Sequence, residues 1–347
     1  MDPPRSNAER VSAASQGMAM ECIAVINQKG GVGKTTTAVN LGAALGQRGK
    51  RVLMLDLDPQ GHLTTHLGLD EVAPGRGIYE VLTRDLPLEK AFHPYGDHLT
   101  VVPAQIDLAA AEVELVSVVG REVILRDILA AQERPFDLAI IDCPPSLGIL
   151  TLNALSASTR VLIPLQAHFL ALQGAGKLFE TISLVSQRIN PILRVMGIVL
   201  CMYEAGTKLS AEVVADLQGF LDSSRASHTP WRDARIFESR IRRNVKLAEC
   251  PSHGQSIFEY AEKSNGAIDY LALADEFLAT LVPVAPAAPT SPVEASAPTI
   301  PVSAGIPEPP STRSRATKAT APSDAQPTEP AAEAGNESPA EAVARVS

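Results

Sequence analysis

An α/β fold is predicted, with a mostly parallel, twisted sheet covered by helices on both faces. Three observations carry it. Short runs such as 22–27 and 136–142 are apolar at nearly every position instead of every second one, as expected of strands buried on both faces. Segments with helical spacing of apolar residues separate these runs, and strand, helix, strand in that rhythm builds parallel pairs. The pattern stops near residue 282. Beyond it 13 prolines fall in 65 residues with no Phe, Trp or Tyr, too little apolar surface for a core.

The first strand is expected over 22–27, followed by a helix over 35–48. A second strand, 51–56, runs into the polar segment DLDPQG. A third is short, 99–102, and the helical pattern over 108–131 breaks near Gly120. Further strands are expected over 136–142, 160–165 and 194–202, with helices over 171–189, 208–221 and 266–281. No internal repeat is present. The organisation expected is a disordered extension over 1–20, one globular domain over 21–282 and a disordered Pro/Ala-rich tail over 283–347.

With 347 residues and 45% hydrophobic content the chain has ample material for a core. No apolar run approaches the roughly 18 residues of a membrane span, and 1–20 lacks the apolar stretch of a signal peptide, so a cytoplasmic protein without a membrane partner is expected. Cys22, Cys143, Cys201 and Cys250 share no C-x-x-C spacing and are read as reduced and structural. A net charge of -9 argues against a protein that coats nucleic acid over its whole surface, and leaves a local basic patch to be sought by position.

The segment VINQKGGVGKTTT, 25–37, places Gly30, Gly31 and Gly33 directly after a strand and opens a helix with Lys34 and Thr35. Backbone N–H groups and a helix N-terminus converge there, and phosphate is what such a nest binds. The pattern G-x-x-x-x-G-K-[ST] would need glycine at Gln28, so the strict form fails while K-G-G-x-G-K-T is complete. That variant resembles the deviant Walker A motif of the ParA/Soj/MinD ATPases. Asp56 to Gly61 (DLDPQG), Asp142 to Ser146 (DCPPS), YEAGTKL at 203–209 and RNVKLAECPSHG at 243–254 also look like ParA/Soj, so the resemblance spans about 21–282.

The resemblance implies a P-loop NTPase of the deviant Walker A type that binds ATP and Mg²⁺ through Lys29, Gly30, Gly31, Val32, Gly33, Lys34, Thr35, Thr36, Asp56 and Asp142. Lys34 is expected on the β- and γ-phosphates, and Thr35 and Asp142 at the metal, Asp142 through its water shell. Asp58 matches the position that orients the attacking water, with Asp56 supporting the same loop. Lys29 is expected to cross an ATP-bound homodimer and neutralise charge on the partner's nucleotide. The catalytic set is therefore Lys29, Lys34 and Asp58.

Other chemistries are conceivable for residues in and near these motifs. Asp56 and Asp58 could be a glycosidase-like acid and base, but they stand at the mouth of a phosphate loop. His62 and His66, four apart, could share a metal, yet no third ligand is evident and they read as surface histidines. Ser146 lies in no G-x-S-x-G setting. Cys143 stands alone, where the iron protein of nitrogenase needs two cysteines per subunit for its shared cluster.

Within 225–246, Arg225, Arg232, Arg235, Arg240, Arg242, Arg243 and Lys246 face only Asp233 and Glu238. A solvated helix and loop is one reading. The resemblance favours another, since ParA/Soj dimers bind DNA non-specifically through basic residues in this region. Arg242, Arg243 and Lys208 are the expected DNA contacts. Arg243 falls on a family arginine, whereas another family arginine falls on Gly206 and a family proline on Arg242. Trp231 could stack on a base or pack its loop down, and packing is expected.

The function implied is an ATP-dependent DNA segregation ATPase, nucleoid-associated, whose dimer holds DNA and whose hydrolysis is stimulated by a ParB/Spo0J-like protein. The alternatives are a ParA-like ATPase positioning a protein cluster or organelle, and a MinD-like cell-division site regulator. The second needs a C-terminal amphipathic helix, and 333–347 contains no Leu, Ile, Met, Phe or Trp. An ATP-dependent ligase of the same fold has no use for Lys29, nor a non-catalytic DNA-binding module for Asp58.

Overall fold

The computed structural model describes residues 20–69, 73–133, 135–168, 171–206 and 208–281, with the backbone alone for 171–173 and 209. The expected tail and all but Met20 of the N-terminal extension lie outside the described residues. Eight strands are present: β1 Glu21–Val25, β2 Val52–Asp56, β3 His93–Tyr95, β4 Leu99–Val102, β5 Leu138–Asp142, β6 Arg160–Gln166, β7 Arg194–Cys201 and β8 Arg235–Ile236. They form one sheet in the order β3-β4-β2-β5-β1-β6-β7-β8, in which only β3 runs antiparallel. The chain moves to one side of β1 first and to the other side from β6 onward. Such a reversal opens a crevice at the carboxyl end of the central strand.

The described helices are α1 Lys34–Gln47, α2 His62–His66, α3 Ile78–Thr83, α4 Leu108–Glu114, α5 Ile124–Ala130, α6 Ile149–Ala157, α7 Ala171–Arg188, α8 Lys208–Ser224, α9 Val245–Glu249, α10 Ile257–Ala261 and α11 Asn265–Thr280. Side chains alternate across a strand, and both faces of this sheet are covered. Ile23 and Val25 of β1 share one core with Leu41 of α1 and Tyr270 and Phe277 of α11. Cys22 and Ala24 share the other with Leu150 of α6 and Leu178 of α7. Continuous apolar strands follow from that double coverage.

Several features depart from the expected pattern. β3 is three half-exposed residues around Pro94, and β8 is two residues, both too short for any periodicity. The helical stretch 108–131 divides into α4, a 3₁₀ turn over Leu115–Ser117 and α5, with Gly120 at φ 75° between them. Trp231 is fully packed: its indole N–H donates to Ser224 Oγ at 3.0 Å and its ring lies 5.0 Å from that of Phe179. The segment before β8 is thereby held down. All four cysteines are buried and unpaired, and burial pushes the Cys22 thiol up to about 12. Among the described residues no helix is long and apolar enough to cross a membrane.

Candidate nucleotide site

The loop after β1 is built by backbone conformations that suit glycine. Gly31 and Gly33 have φ of 70° and 91°, in the left-handed region where a side chain is strained. Nothing lies within 4 Å of where a Cβ on Gly30 or Gly31 would stand, so the loop borders open space. Asn27 anchors its start, donating to the Pro164 carbonyl at 2.7 Å and accepting from the Lys29 N–H at 3.0 Å. Lys34 is buried, with Nζ turned back to donate to the Lys29 carbonyl at 3.4 Å. The Lys29 side chain is exposed and meets His168 Nε2, just beyond β6. Val32 is buried beneath the loop, and Thr35 and Thr36 open α1 half-buried.

Three carboxylates face this loop. Asp56 and Asp142 are register partners at the ends of β2 and β5, both fully buried, and Asp58 is 6% exposed. Asp56 accepts from the Asp58 N–H at 3.2 Å and from both the N–H and the hydroxyl of Thr64, at 2.9 and 2.7 Å. Asp58 Oδ1 takes the Gln60 N–H at 3.0 Å. Thr35 donates its hydroxyl to Asp142 Oδ2 at 2.7 Å, while Asp142 Oδ1 is buried without a partner. Burial pushes the Asp56 carboxyl up to about 6, against the pull of the Thr64 bonds. Burial and then the Asp56 charge raise Asp142 well above the usual carboxylate range, opposed by Thr35 and Lys34.

Such a group lacks positive charge. Lys34 is the single buried cation among the described residues at this end of the sheet, set against three acids. A divalent cation fits the deficit, beside a hydroxyl and an orphaned carboxylate oxygen. No group of three or more His, Cys, Asp or Glu is arranged for a metal among the described residues. Mg²⁺ suits such a site, because it is commonly held by one or two protein oxygens with waters and phosphate oxygens completing its shell.

The basic stretch 225–246 is less bare than its composition implied. Arg225 pairs with Asp222, Arg232 with Asp233, Arg242 with Asp269, Arg243 with Glu204 and Lys246 with Glu249. Four of those five acids lie outside the stretch. Arg240 lies over the Tyr203 ring and donates to its hydroxyl at 2.7 Å. Tyr203, Glu204, Ala205, Glu238, Arg240, Arg242 and Arg243 line an open cleft of about 430 Å³. Lys208 opens α8, exposed, on the chain leaving β7.

Sequence reasoning missed Thr64, His168 and Asp269. Each meets a site residue across a gap in sequence that no spacing rule covers. It also placed His66 at the surface, where the structure buries it at 2% exposure with Nε2 3.5 Å from Cys250 Sγ, while His62 is exposed. Docking of α2 on the segment that carries Cys250 is the cause.

Burial pushes the His66 imidazole down from 6.5 to about 4. Between those values the unfolded chain binds a proton that the folded chain does not, so stability rises with pH across that window. Acidifying from pH 7.5 to pH 5 is expected to cost roughly 2 kcal/mol through this group. His66→Gln should flatten the pH dependence of the thermal midpoint between pH 4 and 6.5. An unchanged slope would show that His66 titrates as if exposed.

Residues 20–195 match the family model described as an AAA domain. The chromosome partitioning protein ParA of Myxococcus xanthus (strain DK1622) is 44% identical over 265 residues, covering 76% of this chain and 90% of that protein. The sporulation initiation inhibitor protein Soj of Bacillus subtilis (strain 168) is 44% identical over 258 residues, 74% of this chain and 98% of that protein. Among solved structures, cobyrinic acid a,c-diamide synthase from Mycobacterium smegmatis with bound ATP analog and magnesium is similar at 40% identity and a TM-score of 0.61. The match covers 75% of this chain and 94% of that one.

Proposed function

This chain belongs to the ParA/Soj family of chromosome-partitioning ATPases, and from that premise we propose that its ATP-bound form is a sandwich dimer holding DNA without sequence preference until hydrolysis, stimulated by a ParB/Spo0J-like protein, releases it. The enzyme is an ATPase and works on ATP with Mg²⁺. The observation that carries the finer reading is the second lysine. Lys29 is exposed beside the glycine loop with its ammonium meeting His168, while Lys34 is turned inward over the same loop.

Roles follow from what each group can offer. Backbone N–H groups from Gly30 to Thr36 and the N-terminus of α1 surround the phosphates, and Lys34 takes the β- and γ-phosphate oxygens. Thr35 and Asp142 would hold Mg²⁺, Asp142 by way of the metal's waters; the buried, unpartnered Asp142 Oδ1 supports this. When bound, the ion neutralises charge on the phosphate oxygens. Asp58 orients the attacking water, its carboxylate steadied by the Gln60 N–H on Oδ1. Asp56 fixes the loop by holding Asp58 and Thr64 together. Lys29 crosses to the partner's nucleotide, so ATP joins the two subunits.

Arg243 and Lys208 are the DNA contacts favoured by exposure. The Arg243 pair with Glu204 is open to solvent on both sides, and such pairs are worth at most about 1 kcal/mol, little to set against a phosphate. Arg242, expected beside them, has its guanidinium committed to Asp269. Association with the nucleoid follows from the DNA contact.

With ATP and Mg²⁺ the full-length protein should sediment as a dimer and retain unrelated duplexes equally, and Asp58→Ala should hold the dimer with its partners attached. Duplex binding that ignores nucleotide, or an Asp58→Ala protein that stays monomeric with ATP, would refute the cycle.

A further inference from the structure

We propose that His168 is the positioning residue of Lys29: in the free subunit its imidazole latches the ammonium on its own side, and that bond must break before Lys29 reaches the partner's nucleotide. The proposal rests on the crossing role of Lys29 given above and names what sets the balance between the two positions.

The contact is built by the sheet. β1 and β6 are adjacent and parallel, with Val25 paired to Leu162, so the chains leaving their carboxyl ends run side by side. Asn27 clasps them. Only 8% exposed, it donates to the Pro164 carbonyl of β6 at 2.7 Å and accepts the Lys29 N–H at 3.0 Å. The His168 N–H donates to the Gln166 carbonyl at 2.9 Å, a tight turn that fixes where this residue stands as the chain leaves β6. Lys34 holds the Lys29 carbonyl at 3.4 Å. Both members of the pair are thus anchored by their backbones, and the ammonium of an exposed lysine meets Nε2 of a half-buried histidine.

This bond needs a neutral imidazole. An ammonium has only hydrogens to offer, so Nε2 accepts and the ring proton sits on Nδ1; once protonated, both ring nitrogens donate and the latch opens. Burial and then the Lys29 charge lower the His168 imidazole from its ordinary 6.5, against a bond to its own backbone. On the loop after β1 Lys29 is the charge that acts on it, and Gln166 and Ala167 on its own strand end carry none. When Lys29 leaves for the partner, its part of that lowering ends. The dimer then binds protons that free subunits do not, and a state that binds more protons gains as pH falls. Acidification through the window below 6.5 therefore favours dimerisation through this group.

The test measures dimerisation of the full-length protein by sedimentation with a non-hydrolysable ATP analogue and Mg²⁺. Two latches break per dimer, and an exposed bond of this kind is worth about threefold in an equilibrium constant. His168→Ala should therefore dimerise roughly tenfold more tightly at pH 7.5, with the subunit's nucleotide affinity within about twofold of wild type. His168→Gln supplies a side-chain oxygen in place of Nε2 and does not titrate. It should dimerise like wild type at pH 7.5, and wild type should gain about fivefold over it by pH 5.5. Asp56, near 6, and the phosphates titrate in both proteins and cancel in that ratio. A His168→Ala protein that dimerises no more tightly than wild type, or a ratio that is flat with pH, would overturn the latch. In the nucleotide-free protein the His168 imidazole, followed by NMR, should titrate below 6.5 and move upward in Lys29→Ala; an unmoved titration would overturn the latch by itself. A wild-type protein that stays monomeric with the analogue would instead refute the crossing reading on which the latch rests.

Discussion

Lys34→Ala is expected to lower ATP affinity by at least about 10- to 100-fold, because a charged hydrogen bond lost from a site of this kind is worth roughly 1.5–3 kcal/mol. Lys34 is also the single buried cation described among Asp56, Asp58 and Asp142, so its loss leaves three acids facing the phosphates. Lys29→Ala should behave differently. Its side chain stands outside the loop against His168, and removing it leaves the nest and Lys34 in place. Nucleotide binding by the monomer should persist within a few-fold, about 1 kcal/mol or less for an exposed charge, while ATP-dependent dimerisation disappears. Calorimetry and sedimentation on both variants separate the two roles. A Lys29→Ala protein that still dimerises with ATP would sink the crossing lysine.

Arg243→Glu carries the second large effect. Each neutralised phosphate adds about 0.9 to the slope of log affinity against log salt, so two subunits that each lose one contact should flatten that slope by about 2. The dimer requirement comes from the same arithmetic, since a monomer presents one small patch and the dimer two. Affinity for any duplex should fall by more than about tenfold at moderate salt, with ATP-dependent dimerisation spared. Arg243 also borders the cleft next to Arg242, so nucleotide affinity is measured on the same variant. If Arg243→Glu dimerises and holds duplex DNA at the original salt sensitivity, Arg243 is solvated surface and the contact lies elsewhere.

The sequence by itself determined the sheet and the phosphate end of the site. Six of the eight strands were legible because they are buried on both faces, and double burial leaves an uninterrupted apolar run. The loop was legible because its chemistry is local: a strand, left-handed glycines at 31 and 33, and a lysine and threonine opening α1 must follow one another in sequence to surround a phosphate. The edge strands β3 and β8 were not, since two or three half-exposed residues carry no period.

Tertiary structure alone decided the long-range charge pairs, those of Arg242 and Arg243. The net +5 within 225–246 described a basic patch, yet Asp222, Glu204, Asp269 and Glu249 reach it from outside the stretch, two of them from elements brought alongside only by folding. His66 illustrates the same limit, as a five-residue helix has no periodicity and its burial is set by Cys250, 184 residues away. Arg242 shows why the distinction matters for function. Composition makes it one more cation for DNA, whereas the docking of α11 beside α1 puts Asp269 against it and occupies its guanidinium. Ionic partners are chosen by proximity in space, and a carboxylate 27 residues along the chain leaves no mark on the segment it neutralises.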